Sequence, residues 1–179
     1  MSRNIRVEES KGTPVADQRI ELVERKGIGH PDTLCDGIAE SVMRALSEEY
    51  LDRFGGILHH NTDESQLVAG RSDPQFGGGN VVQPIYILIV GRATKEFEGE
   101  SIPADSIAVK TARQYVRDSL ENIDTESEVI VDCRMGEGST DLRDVFDLGD
   151  GKVPDANDTS FGIGYAPFSP TERVVHETE

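Results

Sequence analysis

The chain has 179 residues, 36% of them hydrophobic and 29% charged, with 34 acidic against 18 basic side chains and a formal net charge of −16. That size and composition belong to a folded domain, or to one domain and part of another, with enough apolar surface for a core. No apolar run approaches the roughly 20 residues of a membrane helix, the start Met1-Ser2-Arg3-Asn4 lacks a signal-peptide h-region, and the charge lacks the basic footprint that nucleic acid requires.

Residues 1–18 read as a polar arm. Residues 19–26 (RIELVERK) alternate apolar Ile20 and Leu22 with polar neighbours, which predicts a short strand. A helix is expected over 31–54, because Leu34, Cys35, Ile38, Ala39, Val42, Met43, Leu46, Tyr50 and Phe54 keep helical spacing and Gly55-Gly56 stops it. Short strands are expected at 57–60 and 66–70, on either side of Asn61-Thr62-Asp63-Glu64, and a loop at 76–79. Residues 81–93 give the strongest strand signal, with Pro84 marking an edge or bulge. A second amphipathic helix spans 103–123. Residues 128–134 form a buried strand that feeds a hinge at 135–141. Turns follow at 149–151 and 155–158. Ser169, Pro170 and Glu172 open a last helix over 169–179. The order predicts an α+β fold: a mostly antiparallel or mixed sheet covered by amphipathic helices.

Two cysteines, Cys35 and Cys133, make neither a disulfide framework nor a zinc spacing, so a cytoplasmic protein with reduced thiols is expected. The lysines are only Lys11, Lys26, Lys95, Lys110 and Lys152. An acidic, lysine-poor surface on a folded chain fits a halophilic protein, because salt screens its self-repulsion.

Five segments carry chemistry. Gly27-Ile28-Gly29-His30-Pro31-Asp32 runs two glycines, an imidazole and a carboxylate into a helix start. Proline suits the first helical position, and the first turn offers free N–H groups and a positive dipole end to phosphate. There Asp32 either caps the helix or holds a divalent cation, and His30 either neighbours the cap or touches the same anion. Asp32, Asp36 and Glu40 form an acidic stripe that reads as solvated surface. His59-His60-Asn61-Thr62-Asp63 holds three metal-ligand candidates, but adjacent histidines on a strand face opposite ways, so at most one joins Asp63. Phe76-Gly77-Gly78-Gly79-Asn80 either cradles phosphate or simply turns the chain. Neither a P-loop nor a dinucleotide fingerprint is present. Gly136-Glu137-Gly138-Ser139-Thr140-Asp141 permits close backbone approach to a ligand, with Ser139 and Asp141 available to a ribose or base; a plain turn is the alternative. Asp158, ahead of Phe161-Gly162-Ile163-Gly164-Tyr165, suits an amino-bearing substrate or an Asx turn.

Taken together and in this order, these segments resemble the archaeal type of S-adenosylmethionine synthetase (methionine adenosyltransferase). The resemblance rests on ERKGIGHPDTLCDGIAES, HHNTDESQLVAG, FGGGNVVQPIYILIVGRAT, VIVDCRMGEGSTDLRDVF and NDTSFGIGYAPFSPTERVV, which cover about residues 19–179. It implies a reaction of ATP with L-methionine. The sulfur attacks C5′, and tripolyphosphate is released and cleaved, with Mg2+ required and K+ assisting. It also implies roles for individual residues: His30 at the leaving oxygen, Asp32 and Asp63 as metal ligands, Gly136, Glu137, Gly138, Ser139, Thr140 and Asp141 as the nucleotide loop, and Asp158 on methionine. Bacterial relatives carry a lysine directly after the His-Pro-Asp; Thr33 stands there in this chain.

The family implied is built as three similar α+β units about a pseudo-threefold axis, in a homodimer with active sites between subunits, and is roughly twice as long. On that plan residues 19–145 form the first unit after the 1–18 arm, and 146–179 begin the second. A triphosphate calls for clustered cations, and the segments offer only Arg25, Lys26, Arg92 and Arg134. The chain therefore reads as an N-terminal portion, inactive alone. A competing reading is a metal-dependent hydrolase on His30, Asp32, His59 or His60, and Asp63; a third is a non-enzymatic scaffold.

Overall fold

Leu34, Ile38, Val42, Leu46 and Tyr50, each four residues after the last, are the buried stripe of helix α1, Pro31–Phe54. The helix ends where expected, at Gly55, whose left-handed φ of 72° lets its N–H reach back to the Leu51 carbonyl at 2.9 Å. The computed structural model describes residues 5–138 and 164–178. Ser139, Thr140, Asp141 and Asp158 lie outside the described residues, as do the turns expected at 149–151 and 155–158. The chain divides into two compact units, Lys26–Ser160 and Met1–Arg25 with Phe161–Glu179.

In the larger unit, α1 is followed by β1 (His60–Val68), β2 (Arg71–Gln75), β3 (Gly78–Gln83), β4 (Ile85–Ala93), the two-residue strands β5 (Glu96–Phe97) and β6 (Glu100–Ser101), helix α2 (Ala104–Ser119) and β7 (Val129–Gly136). The main sheet runs β1-β4-β7, with β1 antiparallel and β7 parallel to β4. The fold is thus mixed α and β on a mixed sheet. A parallel neighbour requires a crossover, which α2 supplies.

Register and burial define the sheet's two faces. Ile87, Ile89 and Ala93 of β4 stand beside Val129, Val131, Cys133 and Met135 of β7 and Leu67 of β1, and this inner face packs into one core with the stripes of α1 and α2. Ala104, Ala108, Ala112 and Val116 are the buried residues of α2. Tyr86, Leu88, Val90 and Ile130 alternate with them onto the outer face and keep much more of their surface exposed.

Several elements depart from the sequence pattern for identifiable reasons. Residues 81–93 are not one strand: Pro84 has no N–H for a ladder, and the chain changes sheets there, β3 pairing with β2 and β4 with β1 and β7 among the described residues. The two strands expected around 61–64 are one strand, β1, which absorbs an extra residue as a bulge between Thr62 and Glu64. The loop at 76–79 is the turn of the β2–β3 hairpin, where Gln75 faces Gly78. The second helix stops at Ser119, short of 123.

Residues 19–26, which run from the smaller unit to the first residue of the larger, form no strand: Ile20 and Leu22 stay exposed. Alternation marks a segment able to join a sheet, but a ladder needs a neighbour, and none pairs with it among the described residues. Helix α3 (Pro170–Thr178) begins as read: the Glu172 N–H donates to Ser169 Oγ at 3.1 Å, and the Glu172 carboxylate accepts from the Ser169 N–H at 2.6 Å. A short 3-10 turn, Val15–Asp17, interrupts the exposed arm.

Candidate functional site at the start of helix α1

His30 closes the turn into α1. Its N–H donates to the Gly27 carbonyl at 3.0 Å, and its carbonyl accepts the first helical bond from the Leu34 N–H at 2.9 Å. Its ring Nδ1 accepts from the Asp32 N–H at 3.1 Å, so the imidazole itself caps the helix. An accepting Nδ1 bears no proton, which puts the proton of the neutral ring on Nε2. The exposed ring therefore presents an N–H donor at the positive end of the helix dipole.

Asp32 lies in the first turn, exposed, and Lys26 Nζ donates to its carboxylate. That hydrogen bond, reinforced by the lysine charge, lowers the Asp32 carboxyl pKa below its usual 3.8. The Thr33 hydroxyl donates to the Lys26 carbonyl at 3.3 Å, tying the glycine turn across the helix start. The sequence offers Lys26 as a phosphate cation but not as the partner of Asp32: nothing in its spacing signals a contact that only the folded turn creates.

The histidine pair separates. Both ring nitrogens of His60 face carbonyl oxygens, Nδ1 that of Leu58 at 2.8 Å and Nε2 that of Met43 at 3.1 Å, with Ser47 Oγ also 3.1 Å from Nε2. With both ring nitrogens turned to structural partners, neither faces a metal site. His59 is buried, and burial, followed by the charges of His60 and Arg92, lowers its pKa below 6.5 against the pull of Asp63.

Asp63 is the exposed extra residue of the β1 bulge and accepts from the Asn61 amide. Asn61 Oδ1, Thr62 Oγ1 and Ser65 Oγ are buried without a hydrogen-bond partner among the described residues. The sequence offers His59, His60 and Asp63 as ligands of this stretch; these three buried groups beside them are oxygens, the donors that hard cations prefer. No group of three or more His, Cys, Asp or Glu side chains is placed to hold a metal among the described residues. The hydrolase reading therefore has no support: His30 caps a helix, His60 is bonded into the core and Asp63 lies on the bulge.

Gly136, the last residue of β7, and Glu137 are exposed, whereas Gly138 is buried. Phe76 sits fully exposed at the hairpin turn, so Gly77-Gly78-Gly79 serves as turn and strand start.

Residues 3–179 match the family described as S-adenosylmethionine synthetase (AdoMet synthetase). The chain belongs to that family. It is 62% identical over 179 residues to the S-adenosylmethionine synthase of Methanosarcina barkeri, covering 100% of this chain and 44% of that protein. It is 61% identical over the same length to that of Methanosarcina mazei, again with 44% of the relative covered. The enzyme of Haloarcula marismortui is 59% identical over 177 residues, 99% of this chain and 44% of that protein. The chain thus spans less than half the length of these synthases. No helix among the described residues is long and apolar enough to cross a membrane.

Proposed function

We propose that this chain works within a methionine adenosyltransferase, taking ATP and L-methionine to S-adenosylmethionine, and that the start of α1 is where the triphosphate leaves. The observation that carries this reading is the His30 cap, which leaves an Nε2–H donor beside an ionised Asp32 at a helix N-terminus. Sulfur is already a nucleophile, so displacement at C5′ needs alignment and charge stabilisation of the leaving group rather than a general base. A histidine locked as an Nε2–H donor fits that role.

Asp32 fits a magnesium ligand, being an exposed carboxylate held in its charged form by Lys26. When bound, Mg2+ stabilises charge on the leaving triphosphate. Asp63, which accepts from the Asn61 amide, would hold a second cation, K+ among the candidates. Gly136, Glu137 and Gly138, continuing into Ser139, Thr140 and Asp141, would line the nucleotide, and Asp158 would hold the methionine amine; these assignments rest on the family resemblance. Among the available cations, Lys26 is engaged by Asp32, and Arg134 by Asp132 at 3.2 Å. The remaining phosphate contacts are assigned to the rest of a longer, cytoplasmic enzyme. That enzyme is built of three α+β units, of which residues 19–145 form the first and 146–179 begin the second. A second copy would cover the outer sheet face, giving a homodimer.

The complete enzyme containing this sequence is expected to form S-adenosylmethionine from ATP and methionine. His30→Ala and Asp32→Ala should each lower kcat about a hundredfold, while the 179-residue chain alone should give no turnover. Wild-type rates in the His30→Ala enzyme would remove His30 from the mechanism, and turnover by a clean preparation of the chain would show its site to be self-sufficient. The surface charge is read as halophilic: the unfolding midpoint should rise with KCl toward molar concentrations, and a flat response would refute that.

A further inference from the structure

His59 is the buried titratable group that the mechanism above leaves unused. It sits immediately before β1 and is fixed from behind. Its carbonyl accepts two hydrogen bonds from Thr94, from the N–H and from Oγ1, both at 3.0 Å. The Thr94 carbonyl in turn accepts from the buried Tyr50 hydroxyl at 2.9 Å. This chain of bonds joins the core stripe of α1 to the backbone of His59. The imidazole meets Gly138: a Cβ built on Gly138 would lie 2.6 Å from Nδ1 and 2.8 Å from Cε1 of the His59 ring. Both are far inside van der Waals contact. The ring cannot step aside cheaply, because it is buried and its backbone is pinned. Gly138 is therefore glycine because an imidazole occupies the space of its side chain.

We propose that His59 is a positioning residue for the nucleotide loop: its ring is the seat on which the backbone at Gly138 lies. It fixes how the chain leaves β7 at Gly136 and runs through Glu137 to Gly138. This rests on the reading that 136–141 meets ATP, and it assigns a role to a histidine that the mechanism above does not use. The burial that keeps the ring neutral also suits it to pack against a backbone. Tyr50 and Thr94 act one step further back, holding the seat.

The test is a double-mutant cycle of His59→Ala and Gly138→Ala in the complete enzyme, with Michaelis constants for ATP and methionine measured separately. Gly138→Ala alone should raise the KM for ATP about tenfold and change that for methionine much less. Adding His59→Ala should recover most of the loss, because the new methyl then fills the vacated space. In the 179-residue chain, the same cycle should appear as amide exchange at 137 and 138 that quickens in Gly138→Ala and slows again in the double variant. Additive effects in both measurements would overturn the seat. Coupled exchange with an unchanged KM for ATP would overturn the positioning role. Absence of ATP-dependent turnover in the unmutated enzyme would instead refute the underlying function, which keeps the two failures distinct.

Discussion

The two faces of the β1-β4-β7 sheet share the same three strands and differ in what lies against them. Ile87, Ile89 and Ala93 on the inner face are fully buried under α1 and α2, while Ile130 on the outer face is 49% exposed and Leu88 and Val90 are half-buried. Both faces are apolar along β4, which reads as an uninterrupted Ile85-Tyr86-Ile87-Leu88-Ile89-Val90 run. Such a run marks a strand meant to be covered on both sides. The inner face is completed by this chain's own helices. The outer one is apolar along β4 and polar on its neighbours, with Gln66 and Asp132 flanking Leu88 and Glu64 and Arg134 flanking Val90.

The sharpest way to break that contrast is to truncate one residue on each side. Ile89→Ala should destabilise the chain by about 3 kcal/mol, since it removes buried methylenes and leaves a cavity among α1, α2 and β7. Leu88→Ala, one residue along, should cost about 1 kcal/mol or less in a monomer. Urea unfolding read by far-UV circular dichroism measures both. Equal losses would show that something covers the outer face. Charging that face with Leu88→Glu should leave the chain folded and lower its tendency to self-associate by light scattering.

A smaller effect tests how the inner layer holds the site. Tyr50→Phe keeps the ring in the core and removes only the hydroxyl, leaving the Thr94 carbonyl buried without that donor. A loss of about 1–2 kcal/mol is expected. Burial pushes the Tyr50 hydroxyl up to about 12, so this bond should be insensitive to pH across the neutral range. A loss near zero would mean that water replaces the hydroxyl, and that the link from α1 to His59 is looser than its geometry.

How much of this was legible in the sequence depended on whether the deciding interaction was local. The bounds of α1 were readable because a four-residue stride, a proline at the first position and a terminal glycine all act within a few residues of one another. The glycine–histidine–carboxylate motif was readable as a helix start, but with Asp32 as the capping group and His30 as its neighbour, whereas the His30 ring itself caps by accepting from the Asp32 N–H. The strand at 19–26 failed because alternation describes one strand, whereas a ladder needs two. The run at 81–93 failed at one residue, since the pattern continues through Pro84 while the hydrogen bonding does not. The His59-His60 pair was ambiguous because its meaning lies in contacts with Met43, Thr94 and Gly138, distant in sequence and invisible to spacing.

The smallest effect separates the buried histidine from the exposed carboxylate. Burial lowers the His59 pKa below 6.5, so as the pH drops past that value the unfolded chain binds the proton more readily than the folded one. Its contribution to stability is therefore complete above about pH 6.5 and declines as the pH falls toward the folded-state pKa. Asp32 follows the acid case. Lys26 lowers its pKa below 3.8, so its contribution persists above that value and is lost only in stronger acid, where its exposure keeps the change slight. Between pH 7.5 and 5 the melting temperature should thus fall for a reason that Lys26→Met leaves intact and His59→Asn removes. A slope that Lys26→Met flattened and His59→Asn did not would reverse the assignment, placing the proton-sensitive group at the exposed helix start rather than under Gly138.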